Sequence, residues 1–526
     1  MGSFQITLPY HHSEEQLAAA VSQYLRSTTD FRILKRSIDA RHHRNILVHY
    51  TITTDLRDPV REFHEQIAAQ REALKRKMGE GTKNIVIVGS GPGGIFCALW
   101  LALHGLKPIL LEQGPRVQKR IRDMAMFMKK GILHPSSNIC FGAGGAGTYS
   151  DGKLITRIRS PYIAFVMDAF IQRGAPEAIR YLFNPHLGSN RIRQCITSLL
   201  EHLEQLGVDM RYETELRDLK TINNRIAAIE TAHDSFDDID AVFLACGHSA
   251  RATYRMLRNR DVAMASKPYA LGVRIEHPAH SINEMQYGVD YESRYEGIET
   301  AQYKFAHTWK ESDRAFYSFC MCPGGYVLNS STEDIGVVTN GMSNYGKRGR
   351  FSNAGIVVNV SLGDLEREGF SGIDGGLQFQ KMIEEKFCAS VNVSGSHVLP
   401  AQRLADFPSG NKSTGLLPHS CVHPVASAEM NALLPRFIAE GLEQGFLAIE
   451  KKLPGFSTNA SAQIFGVESR TSSPYRIVRD DQSLTSVSHA NLFPVGEGAG
   501  YAGGITSAAV DGIRAAQAYL AALLER

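Results

Sequence analysis

The chain has 526 residues, 57 basic against 54 acidic, and an apolar fraction of 43%. That length holds about three domains of ordinary size, and a net charge of +3 is too balanced for nucleic acid or an anionic membrane to be the main partner. The eight cysteines are scattered without a CxxC pair, which argues against a disulfide framework and for a reducing, cytoplasmic setting. The opening residues MGSFQITLPYHHSEEQ lack a signal-peptide core, and Ile6 breaks the myristoylation pattern. The longest apolar run, Ile95 to Leu103, is far short of a membrane span. The expectation is a soluble protein.

Residues 1–80 read as a small α+β domain. Phe4–Leu8 suggests a strand, and Ser13 caps a helix with Glu14 and Glu15 in its first turn. Phe31–Ile38 and Asn45–Thr54 alternate and carry β-branched residues, as strands do. The run from Lys35 to Arg44 is strongly basic. It reads as a solvated strand edge and turn, or as a site for an anionic partner. Pro59 to Lys77 is a polar, charged helix linking this domain to the next.

Asn84 to Gln113 is the stretch around which the chain is organised. A short apolar run, Ile85–Val88, enters Gly89-Ser90-Gly91-Pro92-Gly93-Gly94; an apolar helix follows to His104, and a second apolar run ends in Glu112. Strand, glycine turn, helix, strand and acid make a βαβ dinucleotide unit. Gly89 permits the tight turn, Gly91 lets the backbone approach a pyrophosphate, and Gly94 lets the helix pack on the strand. The helix N-terminus offers free N–H groups to the phosphates. Glu112 can accept from both ribose hydroxyls and would repel a 2′-phosphate, so the ligand is FAD or NAD rather than NADP. Arg116, Lys119, Arg120 and Arg122 follow. One of them, with Arg120 the candidate, could neutralise the pyrophosphate, although as a group they read as a solvated face.

Two later stretches match GxGxxG literally: Gly142, Gly144 and Gly147, and Gly498, Gly500 and Gly503. The first has no clean strand before it and no apolar helix after it, and reads as a loop lying close to a flat ligand. The second follows a strand and feeds a C-terminal helix, but no third strand with an acid follows. Between them, Asn190 to Leu206 is an amphipathic helix, and Asp209–Tyr212 a strand. A hairpin turns at Asn223-Asn224, and Asp240 to Gly247 is a buried strand ending at the ligand edge of an open α/β sheet. From Pro268 to about Leu399, alternating segments (Tyr269–Glu276, Ala315–Cys320, Tyr326–Asn329, Gly355–Val360) indicate an inserted antiparallel sheet.

Several long motifs then coincide. They are Arg36-Ser37-Ile38-Asp39-Ala40-Arg41, Gly144 to Leu154 (GGAGTYSDGKL), Gly272 to Pro278 (GVRIEHP), Phe319 to Gly325 (FCMCPGG) and Gly496 to Ile505 (GEGAGYAGGI). With the βαβ unit and the strand ending at Gly247, the chain resembles the FAD-binding fold of the glutathione-reductase and p-hydroxybenzoate-hydroxylase type. More closely, it resembles a family of uncharacterised bacterial FAD-dependent dehydrogenases with an N-terminal α+β domain. The fold this implies is a discontinuous α/β Rossmann-like FAD domain (81–267 and 401–526), an inserted, mostly antiparallel substrate domain (268–400) and the N-terminal domain (1–80). The resemblance implies FAD in the first site, held by Gly89, Gly91, Pro92, Gly93 and Gly94, by Glu112 and Gln113 at the adenosine ribose, and by Gly247. Glu497 would meet the ribityl chain, with Gly496, Gly498, Ala499, Gly504 and Ile505 under the flavin and its phosphates. Gly147, Ser150 and Gly152 would approach the isoalloxazine. The family pattern has an acid between the first two glycines of the 142–147 loop. This chain has Ala143, which points to a different substrate if that acid acts in chemistry.

The helix after the first strand carries only Cys97, so a disulfide-reductase dithiol is not expected. No dedicated NAD(P)H unit is visible, which leaves NADH or NADPH as a transient reductant or the substrate itself as hydride donor. Catalytic candidates are His248 as a proton donor, Lys153 as a positive charge against reduced flavin, Tyr149, and Cys320 with Cys322 as a redox or substrate-contacting pair. His419, Cys421 and His423 make a mixed metal site conceivable, but no metal is assigned. The reading is an FAD-dependent oxidoreductase acting on a small organic substrate, with oligomeric state open. Its alternatives are a flavin monooxygenase and a flavin-bound RNA- or protein-interaction factor using the basic N-terminal domain.

Overall fold

The computed structural model describes residues 2–28, 30–78, 83–391 and 397–525. At the N-terminus, strands Phe4–Pro9, Leu47–Thr53 and Arg32–Asp39 form an antiparallel sheet with Leu47–Thr53 in the middle. Leu17 and Val21 of the helix Glu14–Leu25 pack on Val48, Tyr50 and Ile52. Ser13 caps that helix, as its sequence predicts, in a reciprocal box with Gln16. The helix Pro59–Met78 is polar except for one stripe. Phe63, Ile67 and Leu74 of that stripe enter the core of the following domain, where the Phe63 ring meets Trp100 edge-on. The expected boundary at residues 80 and 81 lies outside the described residues.

Five parallel strands build the nucleotide domain, in the order Leu492–Pro494, Ala241–Leu244, Ile85–Val88, Ile109–Leu111, Asp209–Arg211. The first four are short, apolar and almost wholly buried, as parallel strands between helices must be, whereas the edge strand Asp209–Arg211 is polar and partly exposed. The chain leaves Ile85–Val88 to one side and returns on the other at Ala241–Leu244, so the sheet order reverses between these two strands. A crevice opens at such a reversal, outside the carboxyl ends of the strands. Gly89, Gly247 and Gly496 follow the three neighbouring strands at that edge, each with positive φ. The helices Pro92–Leu103 and Ile505–Glu525 cross closely because Gly512 sits against the Gly93 carbonyl, where a Cβ would come to 2.1 Å. This is the discontinuous α/β Rossmann-like fold the sequence predicts, including the hairpin at Asn223-Asn224, both residues with positive φ.

The second large sheet has seven strands, in the order Ala306–Trp309, Arg314–Cys322, Phe351–Val360, Tyr269–Pro278, Gln463–Glu468, Leu399–Arg403, Val425–Ser427. All pairings are antiparallel except the last. The expected boundary at residue 400 is corrected by this order, because strands up to Glu468 belong to the inserted sheet. The cause is topological. The central strand Tyr269–Pro278 needs a partner on each side, and the chain supplies the second only after residue 460. No helix among the described residues is long and apolar enough to cross a membrane.

Candidate cofactor cleft and active site

The glycines of the expected cofactor motifs divide into two kinds. At Gly89 a Cβ would lie 2.4 Å from the Ala245 carbonyl oxygen, and at Gly94 it would lie 1.8 Å from that of Gly89. At Gly498 it would lie 2.5 Å from the Gly247 carbonyl oxygen. These glycines pack the protein on itself. At Gly247, Gly503 and Gly504 a Cβ meets nothing within 4 Å, and at Gly91 only the Gly145 Cα, at 4.0 Å. The second kind gathers at the ligand edge of the sheet and at the start of the helix Ile505–Glu525, and leaves room there for a bound molecule.

Glu112 is buried, and its carboxylate is fully used. Oε2 accepts from the Ser90 amide (3.1 Å) and hydroxyl (2.6 Å), and Oε1 from the amides of Gly114 (2.9 Å) and Gly142 (3.1 Å). The carboxylate thus ties the nucleotide turn to the 142–147 loop.

Arg120 has a different place from the one expected at a pyrophosphate. It is fully buried, and its guanidinium donates to the carbonyls of Asn138, Ile139, Gly142, Ala143 and Gly145 and to the Thr148 hydroxyl. Its donors are consumed in holding the loop. Gly142 is glycine because a Cβ would strike the Arg120 Cδ at 2.5 Å, and Gly145 because it faces Gly91. Gly147 rests against Ile505 and Pro92, and the Thr506 hydroxyl donates to the Leu154 carbonyl at 2.7 Å. Residues 145–154 therefore run alongside the N-terminus of the C-terminal helix. Ala143 is fully buried in the core, so its position does not face the cleft. Tyr149 is held between the guanidinium groups of Arg120 and Arg193, with its hydroxyl buried and unpartnered.

Past this loop the structure assembles a polar group that spans three segments. Asp151 is buried and faces Lys153 Nζ at 3.3 Å. Its Oδ1 accepts from the Ser343 hydroxyl and lies 3.1 Å from His186 Nε2, which is also 3.0 Å from Ser343 Oγ. A single Nε2–H on His186 satisfies both contacts. Nδ1 is then left buried without a partner. Burial opposes the charge on Asp151, but Lys153 and His186 outweigh it and hold the carboxyl well below its usual range. Burial likewise opposes the Lys153 charge, yet Asp151 raises its pKa overall, so the ammonium persists. Lys153 keeps 24% of its side-chain surface accessible although protein surrounds it, as a residue lining an internal cleft does.

Beneath this group lies a buried ion pair in the inserted sheet. Arg274 Nε and Nη2 donate to Glu468 Oε2 and Oε1 at 2.9 and 2.8 Å, and Nη1 donates to Asn353 Oδ1 at 2.8 Å. Cys320 sits beside it at a bulge with φ +44°, accessible to solvent although protein surrounds its thiol, and the Cys322 thiol donates to the Cys320 carbonyl. Burial pushes the Cys320 thiol up to about 11 and Cys322 further. Both are thiols rather than thiolates near neutral pH, which counts against nucleophilic or fast exchange chemistry. Among the described residues, no group of three or more His, Cys, Asp and Glu is placed to hold a metal ion.

His248 is not suited to the acid role proposed for it. Burial and the nearby Arg470 and Arg251 push it down to about 4, so it is neutral at pH 7, with Nδ1 at 2.9 Å from Ser249 Oγ. Those two arginines close on Glu384, which joins the nucleotide domain to the inserted domain.

Glu497 behaves differently from every other acid at this edge. Its side chain makes no hydrogen bond among the described residues, and burial, opposed only by Lys267, pushes it up to about 7. Glu276, buried under Ser420, is also pushed up to about 7. A carboxyl whose pKa rises on folding adds stability that is complete below its unfolded value of 4.5 and is lost as pH climbs through 7. The ligand-free chain should therefore lose this contribution between those limits. Glu497→Gln should flatten part of the slope in denaturation curves taken across that range, and an unchanged slope would contradict the assignment.

Sequence reasoning named Lys153, Glu497 and the glycines, and missed His186, Ser343, Glu468 and Arg470. The partners of Asp151 lie 35 and 192 residues away, with no local pattern to mark them. Arg274 stood inside a quoted motif, but its mate is 194 residues distant.

A family model for the C-terminal domain of FAD-dependent proteins matches residues 268–471. A model for a domain of unknown function matches residues 3–55. A protein of Clostridium beijerinckii described as uncharacterized is 35% identical over 514 residues, covering 96% of this chain and 95% of its own. Among solved structures, a geranylgeranyl bacteriochlorophyll reductase-like protein from Thermoplasma acidophilum is 13% identical, with 85% of this chain and 80% of that one covered at a TM-score of 0.34. The glycerol-3-phosphate dehydrogenase from Bacillus halodurans, complexed with FAD, is 9% identical, with 87% and 67% covered at a TM-score of 0.33. The chain belongs to the same family as its uncharacterized Clostridium relative and carries the C-terminal domain of FAD-dependent proteins, and FAD is its cofactor.

Proposed function

We propose that the chain is an oxidoreductase that transfers a hydride between a small organic substrate and flavin N5. The observation that supports this best is the position of the Lys153–Asp151–His186 group. It lies beside the helix N-terminus at Ile505, through the Leu154–Thr506 bond, and reaches the inserted domain through Ser343. FAD supplies two-electron chemistry when bound, and the protein positions it and tunes it.

In this reading the amides of the Gly91–Gly94 turn take the pyrophosphate at the helix N-terminus. Glu112, beside Gln113, takes the adenosine ribose, whose hydroxyl would replace that of Ser90 as a donor to Oε2. Glu497, left without a protein donor, takes a ribityl hydroxyl. Gly247, Gly503 and Gly504 leave the space the cofactor fills. Lys153 keeps its proton on Nζ because of Asp151 and holds a positive charge beside the ring end of the cleft. The inserted sheet covers the substrate and keeps water out.

The test is an anaerobic screen of the yellow protein against NADH, NADPH and small organic donors, following bleaching of the flavin absorbance. Reduction by an organic donor without oxygen is the expected result. Substrate turnover that requires both a nicotinamide reductant and oxygen would replace this reading with a monooxygenase.

A further inference from the structure

Three cationic side chains stand on segments that residues 181–190 bring together: Arg36 bridges to Leu182, Lys153 bridges to His186, and Tyr345, two residues before Lys347, donates to Asn190. Two of the three already have acids. Lys153 faces Asp151 at 3.3 Å, and Lys347 faces Glu299 at 2.7 Å. The third, Arg36, forms no ion pair among the described residues. Its Nε donates to the Tyr50 hydroxyl at 3.3 Å. Arg36 nevertheless acts on this group. The protein around it works against the Glu299 charge, but Lys347 and Arg36 hold its carboxyl below the usual range, although the side chain stays half exposed.

The backbone of Arg36 is fixed on both sides. Its amide donates to the Tyr181 carbonyl at 2.7 Å, and its carbonyl accepts from the Phe183 amide at 2.9 Å, forming a parallel bridge onto Leu182. Three residues beyond Phe183 stands His186, the neighbour of Asp151 and Ser343. One short segment therefore carries both the support for Arg36 and a member of the polar group. The rest of the basic run is used otherwise. Lys35 lies over the Phe183 ring at 4.3 Å, and Arg41 Nε donates to both oxygens of Asp39, at 2.9 and 3.0 Å. The run is therefore not a uniform basic face for a polyanion.

Arg36, anchored through its backbone and Nε and with no partner on its terminal N–H groups among the described residues, is a preformed fork for a planar anion. Charge selects which one. Arg36, Lys153 and Lys347 against Asp151 and Glu299 leave one positive charge, which a single carboxylate neutralises and a phosphate dianion would exceed. We propose that Arg36, presented by the N-terminal domain, binds the carboxylate of the substrate, whose reacting carbon lies in the cleft beside Lys153. This rests on the oxidoreductase reading above and makes the N-terminal sheet part of the substrate site.

The test titrates the full-length holoprotein with benzoate, butanoate and hexanoate, with the matching neutral amides, and with inorganic phosphate. Binding is read from the flavin difference spectrum and from calorimetry. At least one carboxylate should bind about tenfold or more tightly than its amide and more tightly than phosphate, as a charge-assisted fork requires. Arg36→Met should abolish most of that preference without changing amide binding or FAD content, Arg36→Lys should retain part of it, and Lys35→Met should leave it intact. Carboxylates that bind no better than amides, tighter binding of phosphate, or an unchanged preference in Arg36→Met would each overturn the proposal. A holoprotein that prefers carboxylates but is reduced by no organic donor would instead sink the oxidoreductase reading alone.

Discussion

Arg274→Met should bring the inserted domain close to unfolding, whereas Arg274→Met combined with Glu468→Leu should recover most of the loss. Arg274 is fully buried, and Glu468 nearly so, within the seven-stranded sheet. The pair joins two neighbouring strands, reaches Asn353 on a third through Nη1, and receives the Thr339 hydroxyl, from the separate two-stranded pairing of Gly325–Asn329 with Thr339–Ser343, at 3.1 Å. Removing the cation alone leaves a buried carboxylate without its partner, which costs about 3–5 kcal/mol. That is a large share of the roughly 5–15 kcal/mol by which a folded domain is stable. Replacing both charges with apolar groups removes the desolvation penalty along with the attraction, so the double variant should lie nearer the parent. Urea denaturation of the three proteins decides it. A double variant as unstable as the single one would mean that packing around the guanidinium, and not its charge, holds the sheet. The close fit of Gly341, where a Cβ would lie 2.4 Å from Arg274 Nη1, shows how tightly that space is filled.

Two glycines three residues apart should respond in opposite ways. Gly94→Ala should destabilise the fold, because its Cβ would sit 1.8 Å from the Gly89 carbonyl oxygen and backbone must move. Overpacking of this kind costs about 1–3 kcal/mol or more. Gly91→Ala should leave the fold intact, since φ at Gly91 is −71° and its Cβ would meet only the Gly145 Cα at 4.0 Å. The new methyl group would instead stand where the pyrophosphate approaches the helix N-terminus. FAD affinity should fall by roughly 10–100-fold, the equivalent of one or two charge-assisted hydrogen bonds. Equilibrium dialysis against FAD, paired with a thermal melt of the ligand-free protein, separates the two effects. A Gly91→Ala chain that binds FAD as the parent does would remove the pyrophosphate from that turn.

Much of this was legible in the chain itself. The nucleotide unit is local, so strand, glycine turn, helix and acid could be read from thirty consecutive residues, and all of them form as expected. The central strands of the inserted sheet could be read too, because alternation marks a strand whatever it pairs with. What could not be read was pairing over distance. Gln463–Glu468 fills the gap beside Tyr269–Pro278, yet nothing near residue 463 says so, and the domain boundary was drawn too early. The same limit hid His186 and Ser343 behind Asp151. Arg120 and His248 illustrate a second limit. Both lie at the cleft in sequence terms, but burial and neighbours decide their roles. One is consumed by loop carbonyls, and the other is kept neutral by burial first and by two arginines second. The basic run at 35–44 shows the converse, for its composition suggested a surface and the structure turns one member inward.

The most direct test of the account is a titration of the purified, ligand-free full chain with FAD, followed by absorbance and by the quenching of flavin fluorescence. The account predicts saturation at one FAD per chain, with the flavin bands shifted by a positive charge near the ring and the shift reduced in Lys153→Met. A chain that stays colourless, or a bound flavin whose spectrum is the same in Lys153→Met as in the parent, would contradict it.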